Sequence, residues 1–208
     1  MQRTKIIHVN PEKPNPKDIK EAAKILKKGG LVIFPTETVY GIGALYGNAK
    51  AVTKVYEVKK RPKNKPLTVH ISSLSTIKAF DCEIPHLADL LMKKFWPGPL
   101  TIILNTNDKK KTIAFRMPDG EIAKSFIEMC GGAIVAPSAN ISGNKAPISA
   151  EGALRDLEGK VDVVIDGGPT KIRTESTIID ASSFPYRVIR EGAISKVRIQ
   201  DAWHDEHK

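Results

Sequence analysis

Short apolar runs that stop abruptly at polar, proline-bearing segments are the feature that most constrains this chain. Leu31–Phe34 ends at Pro35 and gives way to PTETVYGIG; Ala133–Ala136 gives way to PSANISGNKAP. A wholly apolar run of about four residues, bounded by turn residues, fits a strand buried on both faces. In open α/β sheets the loops that leave such strands are where binding sites gather. Further strands are predicted at Leu67–Ile71, Leu100–Leu104, Thr112–Arg116, Val161–Ile165, Ser176–Asp180 and Arg187–Arg190.

Between these runs the periodicity changes. Asn15 is placed to cap a helix that has Pro16 in its first turn. Ile19, Ala22, Ala23 and Leu26 then share one face, and Gly29-Gly30 closes the segment. Helices are also predicted over Ala49–Val58, Leu87–Phe95, Glu121–Met129 and Ala150–Leu157, with Trp96-Pro97-Gly98-Pro99 as a forced break. Strands and helices mix without a strict βαβ repeat, so the fold class is α/β with α+β character. The expected architecture is a twisted, mixed, largely antiparallel sheet of about seven strands covered by helices. The 208 residues, 41% of them apolar, support one sizeable core, and no repeat or linker divides them. A single domain over 1–208 is expected, its core about 15–198 and its last residues, from about Gln200, a polar tail.

Net charge is +10, which favours an anionic partner: a nucleotide, RNA or an acidic lipid. Cys82 and Cys130 stand far apart with no ligand-spaced companion, and His8, His86, His204 and His207 form no metal-like set, so a reducing compartment fits best. The N-terminal MQRTKIIHVNPEKPNPKD has no apolar h-region and no run approaches membrane-spanning length. A cytoplasmic protein with no membrane partner is therefore expected.

Six segments carry candidate chemistry. PTETVYGIG offers two threonine hydroxyls, a carboxylate and a Gly41-Ile42-Gly43 turn; no GxGxxG or GxxxxGK[ST] is present. Five cations fall between Lys59 and Lys65, where Pro62 and Pro66 restrict the backbone, a cluster suited to a triphosphate, an RNA backbone or plain solvation. His70 falls on the strand face opposite Val69 and Ile71. Arg116 ends a strand ahead of Pro118-Asp119-Gly120 and is suited to clamp a carboxylate bidentately, or to a surface ion pair. Small residues from Ala136 to Pro147 let backbone N–H groups approach a ligand, with Ser138 and Asn140 as hydrogen-bonding side chains. RTESTIID and VIREG complete the set. No Ser-His-Asp order, Cys-His pair or paired catalytic carboxylates stand among them, which leaves hydrolysis without support.

In order and spacing, PTETVYG, KxRxxxKPLxVHI, RMP, APSANISG, EST and REG resemble the YrdC family of threonylcarbamoyl-AMP synthases, over about Gly29 to Gly192. The resemblance implies a three-layer fold with a basic concave cleft. It implies Thr38, His70, Arg116 and Ser176 around L-threonine, and Lys59, Arg61 and Lys65 on the phosphates of ATP. Thr112, Ser138, Asn140, Ala146 and Arg190 would contact the nucleotide; Ala136 would touch nucleotide or amino acid. The implied reaction joins L-threonine, bicarbonate and ATP into threonylcarbamoyl-AMP and pyrophosphate, with Mg²⁺ carried on the phosphates rather than on protein ligands. The Ala136–Pro147 loop is the expected lid, hinged at Gly143. Some relatives carry a second C-terminal domain, so the shorter branch is the expected comparison. The product would pass to a transferase that modifies adenosine in tRNA, with RNA contact through the basic cleft. Two rivals stay open: a non-catalytic protein binding tRNA or double-stranded RNA, and a carbamoyltransferase. Aromatic residues make up 6%, which weakens single-strand recognition by stacking.

Overall fold

The computed structural model describes residues 3–204. In chain order the elements are β1 (Lys5–His8), α1 (Pro16–Lys27), β2 (Val32–Pro35), β3 (Tyr40–Leu45), α2 (Ala49–Val58) and β4 (Thr68–Ile71). A 3₁₀ helix (Leu74–Phe80), α3 (His86–Phe95), β5 (Leu100–Asn105), β6 (Thr112–Arg116), α4 (Glu121–Met129) and β7 (Ala133–Val135) follow. The chain continues through α5 (Ala150–Leu157), β8 (Val163–Asp166), β9 (Thr177–Asp180), β10 (Arg187–Arg190) and α6 (Lys196–His204). The strands form one sheet in the order β1-β8-β2-β3-β7-β4-β6-β5-β9-β10. Antiparallel pairing joins β2–β3, β3–β7, β4–β7, β5–β6 and β9–β10, and the other pairings are parallel.

The sheet is therefore mixed, as expected, but larger than seven strands. Two strands escaped the sequence. In β1 only Ile7 is buried, because this edge strand leaves its other side chains exposed. In β3, Gly41 and Gly43 mimic a flexible turn, yet they are strand residues paired with Phe34 and Val32. A Cβ on Gly43 would meet Leu26 Cδ1 at 3.2 Å and Phe34 Cε1 at 3.3 Å, so glycine lets the strand approach the Phe34 ring. The polar tail is also corrected. Helix α6 runs to His204 and buries Ile199 and Ala202, so the C-terminal region through Ala202 belongs to the core; residues 205–208 lie outside the described ones.

Two apolar layers flank the sheet. On one side α1 and α4 pack Ile19, Leu26, Phe126 and Ile127 over Val32, Phe34, Val163 and Ile165. On the other, α2, α3, α5 and α6 cover Ile33, Ile42, Val69, Ile102 and Phe115. β2 is covered on both faces, which is why it reads as an unbroken apolar run. Around β5, β6 and β9 only one face is covered. Leu100, Ile102, Leu104, Phe115 and Ile179 enter the core, while Thr101, Ala114, Arg116 and Ile178 alternate to the other side. That second face is the floor of the site. Among the described residues no helix is long and apolar enough to cross a membrane.

Candidate active site

The uncovered face closes into a cavity of about 120 Å³ at the ends of β4 and β6. Parallel pairing sets Thr68 beside Ala114 and His70 beside Arg116, so both polar side chains of β4 face the same floor as Arg116. Thr101 and Ile178 extend the floor from β5 and β9, and Arg190 enters from β10. The β2–β3 turn contributes Thr36 and Val39, and the loop after β7 forms a wall with Ala136, Pro137 and Ser138. Seven of the expected residues meet here: Arg61, His70, Arg116, Ala136, Ser138, Ser176 and Arg190.

Arg116 is held tightly. Its Nη2 donates to Glu37 Oε1 at 2.6 Å and to Thr38 Oγ1 at 2.8 Å, and its Nε donates to the Gly98 carbonyl at 3.3 Å. A guanidinium has five N–H donors, so three are spent and the two on Nη1 remain for a ligand. The expected two-nitrogen clamp on a carboxylate is thereby reduced to a single nitrogen. Thr38, fully buried, lies behind Arg116 rather than on the cavity surface; its neighbours Thr36 and Val39 line the cavity instead.

His70 is buried and its Nδ1 has no protein partner. Burial first, and the Arg116 charge second, hold its imidazolium well below the usual histidine range, so the ring is neutral near pH 7. His70 lines the cavity, and a neutral imidazole there is suited to a ligand's hydroxyl or amine. Ser176 Oγ and Thr101 Oγ1 are 2.8 Å apart. Arg190 reaches the Ser176 carbonyl at 2.8 Å and Glu175 Oε1 at 2.6 Å. Arg61 donates to the carbonyls of Lys65 (3.1 Å) and Pro66 (2.8 Å), bonds that bring no compensating charge.

The remaining candidates stand elsewhere. Lys59 Nζ is buried behind the wall, bonded to the Ser138 carbonyl and, at 2.5 Å, to the Asn140 carbonyl. It is a strap for the wall, and its ammonium does not line the cavity. Burial, then Arg61, push its pKa down to about 8, against the pull of Glu175 and Asp156. Lys65 is exposed and contributes its carbonyl, which holds Arg61 and, at 3.2 Å, the Tyr56 hydroxyl. Thr112 shares the floor's face but begins β6, four residues or roughly 13 Å from Arg116. Asn140 is buried in the wall, its amide donating to Ile141 and Asn144 carbonyls and its Oδ1 unpartnered. Ala146 is half-buried and outside the cavity.

The lid expectation is corrected by the same contacts. Besides Lys59, the Asp156 carboxylate of α5 accepts from Ile141 N at 2.8 Å and from Asn144 Nδ2 at 2.9 Å. Ser142 N donates to Lys59 O, Ile42 N to Pro137 O and Tyr40 N to Pro147 O. Bound at both ends and in the middle, the Ala136–Pro147 segment is a fixed wall. Gly143, with φ +100°, serves a tight turn there.

Sequence reasoning missed Thr101, Glu175 and Asp156, and it read the Glu37 carboxylate as a ligand contact rather than as a partner of Arg116. Thr101 was detectable from the alternation of LTIILN, where it opposes Leu100 and Ile102. The other three act through contacts distant in sequence. A larger concavity of about 780 Å³ lies on the far side of Glu37, among Asn10, Asp119, Glu121, Asp166 and Lys171. The guanidinium groups of Arg61, Arg116 and Arg190 and the His70 ring collect in the smaller cavity.

Comparison with known proteins places the chain in a family. The Sua5/YciO/YrdC family model, described as "Telomere recombination", matches residues 24–192. The chain belongs to the Sua5/YciO/YrdC family. It is 43% identical over 190 residues to the threonylcarbamoyl-AMP synthase of Pyrococcus abyssi, covering 88% of this chain and 56% of that protein. The Bacillus subtilis threonylcarbamoyl-AMP synthase is 42% identical over 195 residues, with 89% and 56% covered. Among solved structures, P. abyssi Sua5 complexed with L-threonine superimposes with a TM-score of 0.90 at 42% identity, over 96% of this chain and 61% of that one. This Sua5/YciO/YrdC chain thus spans little more than half the length of these curated relatives.

Proposed function

We propose that this protein is a nucleotidyltransferase that makes threonylcarbamoyl-AMP from L-threonine, bicarbonate and ATP, releasing pyrophosphate. The observation that carries the proposal is one cavity holding Arg116, Arg61 and Arg190 together with a neutral His70. Two relatives at 42–43% identity are threonylcarbamoyl-AMP synthases, and a structure of this fold is complexed with L-threonine.

In this reading the two Nη1 protons of Arg116 meet the amino acid's carboxylate, and the His70 ring with the Thr101–Ser176 hydroxyl pair meets its polar groups. Val39 and Ala136 supply the apolar side that a methyl group requires. Threonine's nitrogen combines with bicarbonate to give a carbamate and water. A carbamate oxygen then attacks the α-phosphorus of ATP, and the bond to the β-phosphate oxygen breaks to release pyrophosphate. Such transfers depend on positioning and on countering phosphate charge. Arg61 and Arg190 perform that task at the mouth, while Lys59 fixes the wall against which the nucleotide lies.

Mg²⁺ would neutralise charge on the ATP phosphates. Among the described residues no three His, Cys, Asp or Glu side chains form a metal-holding group, and the donor set suits a cation that arrives with substrate. The product would serve a transferase acting on adenosine in tRNA, with RNA contact through the basic surface. The cytoplasm suits such a role, in keeping with two unpaired thiols at Cys82 and Cys130.

Mass spectrometry of the product formed from ATP, L-threonine and ¹³C-bicarbonate tests the proposal. A labelled threonylcarbamoyl-AMP that requires all three reactants is the expected result. ATP turnover indifferent to threonine, or no product, refutes it.

A further inference from the structure

Glu37 is a buried carboxylate with no reactive task in the chemistry above. Its side chain is 7% exposed and that of Arg116 is 5% exposed. Burying such a charge is costly unless partners compensate, and removal of one partner leaves the other stranded. Glu37 has two compensating contacts, one from each oxygen: Oε1 accepts from Arg116 Nη2 at 2.6 Å and Oε2 accepts from Asp119 N at 3.1 Å. Its backbone is fixed separately, with the Ile172 amide donating to the Glu37 carbonyl at 2.8 Å. The carboxylate therefore spans from the end of β6 to the turn before α4, and the large concavity begins on its other side.

We infer that Glu37 is a positioning residue for substrate recognition: by occupying Nη2 of Arg116 it leaves Nη1 as the single nitrogen that meets the amino acid's carboxylate. The inference rests on the threonine reading. With Thr38 on the second Nη2 proton and Gly98 on Nε, Glu37 completes an occupied edge of the guanidinium. A ligand carboxylate then has one direction of approach, and that direction sets where its amino group faces.

The test is a double-mutant cycle on L-threonine binding with Glu37→Gln, Arg116→Ala and the double variant, read by NMR titration so that weak binding is reached. Gln keeps the shape but has one acceptor oxygen for two donors. Glu37→Gln is expected to weaken threonine binding about tenfold, the loss of one charge-assisted hydrogen bond. ATP affinity should stay unchanged. In the Arg116→Ala background the same substitution should have no effect, because its target is gone. An equal tenfold loss in that background, or unaltered threonine affinity in Glu37→Gln, overturns the inference. Where Glu37→Gln fails to fold, Glu37→Asp, which withdraws the carboxylate by one methylene, is carried through the same cycle with the same criteria. Wild-type protein that binds no threonine overturns the function proposed above; wild-type binding with no response at Glu37 overturns this inference alone.

Discussion

Replacing Lys59 by Met removes the strap of the cavity wall and leaves most of its volume. Lys59 is 1% exposed, and its ammonium is bonded to the Ser138 and Asn140 carbonyls. Each charge-assisted bond contributes about 1.5–3 kcal/mol. Against this stands the cost of burying the charge: the drop from 10.5 to about 8 corresponds to about 3 kcal/mol. The two nearly cancel near neutral pH, so Lys59→Met is expected to lose about 0–3 kcal/mol there. The sign of the pH dependence follows from proton counting. Between about 8 and 10.5 the unfolded chain holds a proton on Lys59 that the folded chain has released, so stability rises with pH across that window. The penalty is fully present below pH 8. A neutral amine still donates two N–H bonds, so the strap survives deprotonation. Urea unfolding of wild type and Lys59→Met, run in parallel from below pH 8 to about 10.5, isolates this one group. The wild-type advantage should grow by up to about 3 kcal/mol. An advantage that stays flat or shrinks as pH rises refutes the reasoning.

Other perturbations separate the parts of the site. Arg116→Ala should weaken L-threonine binding by about one to two orders of magnitude and leave ATP binding near wild type, measured calorimetrically. Arg61→Ala should reduce ATP affinity about tenfold or more, while Lys65→Ala, whose carbonyl is the part in use, should change it by less than about threefold. Asp156→Ala removes the acceptor of the Ile141 amide and should raise that amide's hydrogen-exchange rate about tenfold, with unchanged exchange in α1.

All eight strands expected from apolar runs are present, because continuous burial on two faces or alternation on one leaves a mark in the residues themselves. β1 and β3 left no such mark. The first buries a single side chain at the sheet's edge, and the second is written partly in glycine so that backbone can lie against Phe34. Helix α6 reads as a tail because its burial is confined to a few residues such as Ile199 and Ala202.

In the site, residue type was a good guide to which side chains converge and a poor one to how each is used. Arg116 and His70 were found on strand faces that periodicity could assign. Lys59 looked like a phosphate ligand in a run of cations, yet it turns inward to two carbonyls that lie 79 and 81 residues away. Glu37 acts on Arg116 across 79 residues and Asp156 acts on the wall from 15 and 12 residues away, pairings that no residue type reveals.

The most direct test of the central claim, that this cavity seats a β-hydroxy amino acid, is calorimetric titration of the wild-type protein with L-threonine and L-valine. One molar equivalent of L-threonine should bind, and L-valine, which leaves the polar groups around His70 unpaired, should bind at least about tenfold more weakly. Equal affinity for the two would contradict the account.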